Sequence, residues 1–272
     1  MMKLRTIIIH KQKSQEAEKI SRNIGNYLEL NNISVKYVVL DDIDKIDKND
    51  ADLVIVVGGD GTIIRTIHKV EEIPILGIKY GAIGFLCETT PENAKNTIDK
   101  ILAGNYYLDK RTLLNVEYLG KNYTVVNEVL LTASKISKII SFSIFKNEKL
   151  VYSGKADGII VSTVTGSTAY AFSAGGCIID PELDLIEVIM ICPLSIVARP
   201  FLFPISCKLK ILLQKNDYDG LLIVDGDEVC KVNYDEPIKI EKSNKSALFI
   251  RTEPFDFYKR IKEKIALSME NK

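Results

Sequence analysis

The run Leu53-Val-Ile-Val-Val-Gly-Gly-Asp-Gly-Thr62 decides the fold of the first half of this chain. A continuous apolar segment of this length suits a strand buried on both faces. It leads straight into three glycines, after which helical spacing appears at Ile63, Ile64, Ile67 and Val70. A strand, a glycine turn and a helix in succession gather free backbone N–H groups at a helix N-terminus, a natural seat for phosphate oxygens. Glycine suits positions where backbone approaches a ligand or where φ is positive. The turn is not a Walker A loop, because no Gly-Lys-Ser/Thr follows. It is not GxGxxG either, because Gly61 is followed by Thr, Ile and Ile.

Asp60 is the unusual member of this turn. A carboxylate inside a phosphate cradle brings repulsion unless it has a specific task. Binding Mg²⁺ is one such task. Accepting the proton of a hydroxyl that attacks phosphorus is another. The structural alternative is an N-cap for the helix that follows.

Working outward, strands and helices alternate. Leu4–Ile9 reads as a buried strand and residues 14–31 as a helix with apolar Ala17, Ile20, Ile24, Tyr27 and Leu28. Ser34–Leu40 and Pro74–Ile78 read as further strands, and Thr90 with Pro91 as N-cap and first turn of a helix through Leu102. This alternation predicts a Rossmann-like parallel α/β sheet covered on both faces. Near Asp109 the pattern changes to short β runs, among them Leu113–Leu119, Tyr123–Thr132, Ile139–Phe145, Gly158–Ser162, Ile186–Ile191 and Leu209–Leu213. Phe145–Leu150 reads as a hairpin turn. The expected organisation is an α/β domain over 1–108 and a β-rich, sandwich-like domain over 109–252. A C-terminal helix over 253–272, with Phe255, Phe257 and Tyr258, packs back on the first domain.

Composition narrows the chemistry. The 272 residues carry 36 Lys plus Arg against 36 Asp plus Glu, so no basic excess points to nucleic acid. With only two histidines, His10 and His68, a His triad or His-rich metal site is not expected, and the expected general base is a carboxylate. Five cysteines without a CxxC pair support neither a zinc ribbon nor a disulfide framework. The stretch from Gly158 to Ile179 lacks charge but is interrupted throughout by Ser, Thr and Gly, so no membrane span is expected. The reading is a soluble, cytoplasmic protein.

Two further constellations carry polar chemistry. Lys155-Ala-Asp-Gly158 precedes Val164-Thr-Gly-Ser-Thr-Ala-Tyr-Ala-Phe-Ser173, where small side chains let a flat ligand lie close to backbone; a tightly packed helix is the alternative. Val125-Val-Asn-Glu-Val129 puts one polar side chain on each face of an apolar strand, so one of the two is buried or lines a cleft; an edge strand is the alternative.

In order and spacing these segments resemble the NAD kinase family. The matching segments are GGDGT at 58–62, GIKYGAIGFL at 77–86, Asn127-Glu128, Asp157-Gly158 and TGSTAYAFS at 165–173. Ile191–Pro200 and Val224-Asp-Gly-Asp227 also resemble family segments. GGDGT alone is shared with diacylglycerol kinase, sphingosine kinase and phosphofructokinase relatives, so a lipid kinase or a non-catalytic dinucleotide-binding homologue is the alternative. The resemblance implies phosphorylation of the adenosine 2′-hydroxyl of NAD to NADP, with ATP, another nucleotide or polyphosphate as donor and a divalent ion such as Mg²⁺. It implies an NAD site in the cleft between two domains, and a homodimer or homotetramer.

Residue by residue, the resemblance makes Asp60 the proton acceptor, with Gly61 beside the dinucleotide and Phe85 on the adenine side. Asn127 and Glu128 hold ribose hydroxyls, and Asp157 meets the nicotinamide end. Thr168, Ala169, Tyr170 and Ser173 wall the second nucleoside, and Arg65, Lys138 and Lys155 lie near phosphates. Gly58, Gly59, Gly61, Thr62 and Lys79 take the donor phosphates, and no metal ligand is assigned to a protein side chain. Against the family pattern, Lys79 stands for Asn, Tyr80 for a small or apolar residue, Ala82 for a frequent basic residue and Ala156 for Gly. No His follows Pro193.

Overall fold

A computed structural model of the protein describes residues 4–12, 14–80, 84–215 and 219–270, with side chains through residue 264. The chain forms two compact units, Met1–Arg111 with Ser246–Lys272, and Thr112–Lys245. Residues 109–111 and 246–252, read from the sequence as part of the β-rich domain, belong to the first unit. The reason is pairing: Phe249 lies in parallel register with Ile75, and Arg251 pairs with Glu88 and Asp109.

In the first unit β1 (Arg5–His10), β2 (Ser34–Val39), β3 (Leu53–Gly58) and β4 (Ile75–Lys79) are parallel, in the order β2-β1-β3-β4. Helix α1 (Gln15–Leu30) starts where Ser14 Oγ accepts the N–H of Ala17 at 3.2 Å, with Glu16 and Glu18 in its first turn. Its Ala17, Ile24 and Leu28 pack with Ile8, Ile55, Leu76 and Ile78 on one sheet face, joined by Ala94 and Ile98 of α3 (Ala94–Leu102). Alternate strand residues face the other way, where Ile63 of α2 (Asp60–Val70) lies over Gly77. Both faces are therefore covered, which is why β3 is buried at every position. Helix α3 starts at Ala94, not at Pro91. The bonds Asn93 N–H to Thr90 O (3.2 Å) and Ala94 N–H to Pro91 O (3.4 Å) close a separate turn first.

β5 (Tyr107–Tyr118) runs from the first unit into the second, where β6 (Lys121–Val125) is followed by β7 (Glu128–Ala133), β8 (Ile140–Lys146), β9 (Lys149–Ala156) and β10 (Gly158–Ser162). A short helix α4 (Tyr170–Ser173) precedes β11 (Leu185–Ile191), β12 (Phe201–Pro204), β13 (Leu209–Leu213), β14 (Gly220–Val224), β15 (Asp227–Val232) and β16 (Pro237–Arg251). The chain closes on α5 (Phe257–Glu270) in the first unit. An antiparallel sheet runs β12-β11-β10-β7-β14-β15. Its inward residues Val129, Leu131, Ile159, Val161, Ile186 and Leu222 share one core with Phe142 and Ile144 of β8, Ile211 of β13 and Ile238 of β16. Its other face, with Leu130, Ile160 and Ile189, is covered by Ala171 and Ala174, so β10 is buried throughout. The hairpin at 145–150 forms as expected, with Asn147 (φ 47°) and Glu148 (φ 65°) in the left-handed region that two-residue hairpins require. The single strand expected over Tyr123–Thr132 is broken at Val126 and Asn127.

Candidate active site

The glycine-rich turn sits at the carboxyl end of β3, beside the point where the strand order reverses between β1 and β3, the position that receives ligands in open α/β sheets. Its glycines are not there for positive φ: Gly59, at the cap position of α2, has φ −97° and ψ −175°, and no residue of 58–62 is in the left-handed region. Space is the reason. A Cβ built on Gly59 or Gly61 meets no protein atom within 4 Å, so these two faces are open, whereas one on Gly58 meets Thr62 Oγ1 at 2.6 Å. The N–H groups of Thr62 and Ile63 turn back to Gly59 O at 3.0 and 3.2 Å. Among the described residues those of Asp60 and Gly61 have no acceptor, which leaves donors at the positive end of α2.

Asp60 is not the cap of its own helix. Its Oδ2 accepts the N–H of Phe85 at 2.8 Å and its Oδ1 the N–H of Leu86 at 3.0 Å. Each oxygen spends one lone pair and keeps another, so the carboxylate is aimed yet still able to accept a proton. Gly84 is required by this arrangement, because a Cβ there would collide with the Asp60 carboxylate. Phe85 contributes a backbone N–H to this arrangement, and its side chain is 8 % exposed and packs on Phe257 with centroids 6.0 Å apart. Lys79 lines a pocket of about 370 Å³ with Gly84, Cys87, Glu88, Lys259 and Arg260. Arg65 is exposed, 3.9 Å from Asp41 across an ion pair. Ala82 lies outside the described residues.

In the second unit the bend at Val126-Asn127 is built by a residue 98 positions away. The carboxylate of Asp225 accepts the N–H groups of Val126 (2.7 Å), Asn127 (2.7 Å) and Glu128 (3.0 Å). On the opposite edge Thr163 N–H donates to Asn127 O at 2.8 Å and Thr163 Oγ1 to Val126 O at 2.7 Å. Gly166 passes so close to the Asn127 carbonyl that no side chain fits. Asn127 is thus outside the strand that was expected to hold it, and is half-buried. Glu128 is buried, with Oε2 lacking a partner among the described residues. Burial, reinforced by the charge of Asp225, pushes the Glu128 carboxyl up to about 7.

Near this bend, Thr168 and Ala169 are half-buried at the end of the turn Thr165–Thr168, and Tyr170 and Ser173 are exposed on α4. Asp157 is exposed between β9 and β10, its N–H bonded to Ile191 O at 2.9 Å, and Lys155 and Lys138 are exposed. Asp225 is the residue that the site reading missed. Its signal was present in Val224-Asp-Gly-Asp227, where a non-glycine residue takes φ 48° ahead of a glycine at φ 92°.

Comparison with known proteins places both halves. Residues 10–106 match the ATP-NAD kinase N-terminal domain and residues 126–252 the ATP-NAD kinase C-terminal domain. The chain is 37 % identical over 218 residues to an NAD kinase of Methanothermobacter thermautotrophicus, covering 79 % of this chain and 77 % of that one. With an NAD kinase of Methanosphaera stadtmanae the identity is 34 % over 273 residues, covering 96 % and 99 %. A crystal structure of an NAD kinase from Archaeoglobus fulgidus in complex with ATP superposes with a TM-score of 0.79 at 25 % identity, covering 95 % of this chain and 99 % of that one. Two matched domains in the right order, and a relative aligned over nearly its whole length, make this chain a member of the NAD kinase family.

Proposed function

We propose that this NAD kinase transfers the γ-phosphoryl group of ATP to the 2′-hydroxyl of the adenosine of NAD, with Asp60 as the proton acceptor. The 2′-oxygen attacks phosphorus, the bond between the γ-phosphorus and the β–γ bridging oxygen breaks, and ADP leaves. The hydroxyl proton passes to Asp60 and then to water. The observation that carries this reading is the anchored Asp60 carboxylate, fixed by two backbone N–H groups beside an open helix N-terminus. Positioning of this kind supplies most of the acceleration in phosphoryl transfer. The crystallised relative from Archaeoglobus fulgidus was solved with ATP, which supports ATP as the donor.

The remaining roles are those the family resemblance implies, and local chemistry suits them. The N–H groups of Asp60 and Gly61 meet donor phosphates with Thr62, and Lys79 supplies a cation nearby. Asn127 and Glu128 receive ribose hydroxyls, a role that suits the unpartnered Oε2 of Glu128, since a hydroxyl donates to it and ends its isolation. Among the described residues no three or more His, Cys, Asp or Glu cluster as a metal cage, and Asp60 is engaged with backbone. Mg²⁺ would enter as part of the Mg–ATP substrate, held by phosphates and water, where it would supply positive charge at the transferring group. An assembly of two or four copies belongs to the same proposal, supported by exposed Leu194, Ile196 and Val197 and tested by light scattering.

Purified protein with NAD, ATP and Mg²⁺ is the test: NADP and ADP should form in equal amounts. Asp60→Asn should keep NAD binding by calorimetry and lose turnover by roughly a hundredfold or more. Full turnover in that variant removes the assigned role.

A further inference from the structure

We propose that Arg260 is a positioning residue for the phosphoryl transfer, fixing the carboxylate of Asp60 through the two peptide groups that lie between them. The proposal rests on the role given to Asp60 above.

The peptide joining Gly84 to Phe85 presents its N–H to Asp60 Oδ2 at 2.8 Å and its carbonyl to Arg260 Nη1 at 3.5 Å. The next peptide, Phe85 to Leu86, presents its N–H to Asp60 Oδ1 at 3.0 Å and its carbonyl to the same Nη1 at 3.1 Å. A trans peptide is rigid and points its N–H and C=O in opposite directions. Each of these two planes is thus a strut with a carboxylate at one end and a guanidinium at the other. A cation on the carbonyl also polarises the peptide and strengthens the N–H bond to the anion. Arg260 Nη1 additionally donates to Cys87 O, and Arg251 Nη1 to Leu86 O and Cys87 O at 3.2 and 3.4 Å, so the strand of carbonyls is held along its length.

Arg260 has an unusual setting for a charged side chain. It sits on α5 largely withdrawn from water, and among the described residues its hydrogen bonds go to carbonyls with no carboxylate in ion-pair contact. A half-buried cation without an ion pair is costly, and its bonds to these carbonyls offset that cost. Arg251, Arg260 and Arg111 surround the ring of Phe255 at 4.6, 4.8 and 4.9 Å from its centroid, which limits the freedom of all three guanidiniums. Arg251 is wholly buried and ion-paired to Glu88 and Asp109, the structural anchor of the group. Arg260 is the member whose bonds lead directly to Asp60.

The test compares Arg260→Met, Arg260→Gln and Arg260→Lys in steady-state turnover of NAD with Mg–ATP, with thermal unfolding and NAD calorimetry on each. The expected result is a fall in kcat of about ten- to a hundredfold in Arg260→Met. The KM and Kd for NAD should change less than about threefold, because acceptor binding is left intact. Arg260→Lys should recover part of kcat, since an ammonium donates to the same carbonyls. In an Asp60→Asn background Arg260→Met should add no further loss, because both changes remove one mechanism. A folded Arg260→Met enzyme with kcat within about twofold of the parent overturns the proposal. So does a loss that appears entirely in KM, or an equal loss in the Asp60→Asn background. If Met does not fold, the order Arg, Lys, Gln in kcat carries the test, and equal values overturn it. Full turnover in Asp60→Asn alone defeats the base assignment, a separate outcome from the Arg260 result.

Discussion

Asp225 holds the backbone N–H of Asn127 at 2.7 Å and, with the same carboxylate, the N–H groups on either side of it. One side chain thus satisfies three consecutive donors and turns a strand into a bend. The bend carries Asn127 out of the ladder, and Glu128 follows as the first residue of β7. Asp225 itself adopts φ 48°, a conformation that Asn and Asp tolerate better than other side chains.

Replacing Asp225 by Ala strands three buried or half-buried donors and strains the backbone as well. The unfolding free energy should fall by roughly 2–5 kcal/mol in urea titrations. Asp225→Asn keeps an acceptor oxygen and the left-handed preference, so it should lose less. In both variants the KM for NAD should rise about tenfold or more, ahead of any change in kcat. An unchanged KM in a folded variant would separate this bend from acceptor binding.

Glu128 makes stability depend on pH. Its carboxyl lies at about 7 in the folded chain, raised from 4.5 by burial and then by Asp225. Between those values the folded state binds the extra proton, so stability falls as pH rises from about 5 to 8, by up to roughly 3 kcal/mol. Glu128→Gln removes the titrating proton. Its unfolding free energy should be flatter across that window and exceed the parent's at pH 8. Parallel pH profiles for the two proteins would contradict this.

Gly59 and Gly61 offer a clean separation of stability from activity. Neither has positive φ and neither would bring a Cβ against protein, so Gly61→Ala inside α2 should keep stability or raise it by about 0.5–1 kcal/mol. In the proposed site the added methyl would stand where donor phosphates approach. Catalytic efficiency for Mg–ATP should therefore fall by about tenfold or more, read from initial rates at varied ATP. Retained efficiency would move the donor away from this turn.

Gly84→Ala should behave in the opposite manner. Here the Cβ would enter the Asp60 carboxylate, so the side chain or the segment 84–86 has to move. We expect a loss of about 1–3 kcal/mol in stability with a fall in kcat of tenfold or more, and NAD affinity nearly unchanged. A variant with parental kcat would show that the Asp60 orientation seen here is not required for turnover.

The sequence carried much of the fold. Continuous apolar runs such as Leu53–Val57 and helical spacing such as Ile63, Ile67, Val70 are local patterns that each residue reports with its neighbours, and the strands and helices of the first unit follow from them. Boundaries were less legible. The apolar alternation of β16 fades after Ile240, yet the strand continues to Arg251 through Glu241-Lys-Ser-Asn-Lys-Ser246. Polar composition reads as a turn unless the pairing partner is known. Family resemblance pointed to the NAD kinase activity, while the packing of Phe85 on Phe257 joins two distant segments and is reported by no local pattern.

By itself, then, the sequence determined which segments form strands and helices, and that a glycine turn meets a helix N-terminus, because these depend on residue type and near neighbours. The tertiary structure alone decided what each carboxylate does. Asp60 reaches N–H groups 25 and 26 residues away, Asp225 reaches donors 97 to 99 residues away, and Arg260 reaches carbonyls 173 to 176 residues away. A hydrogen bond across such a span depends on two segments meeting to within about 3 Å, and only the packed fold brings them together.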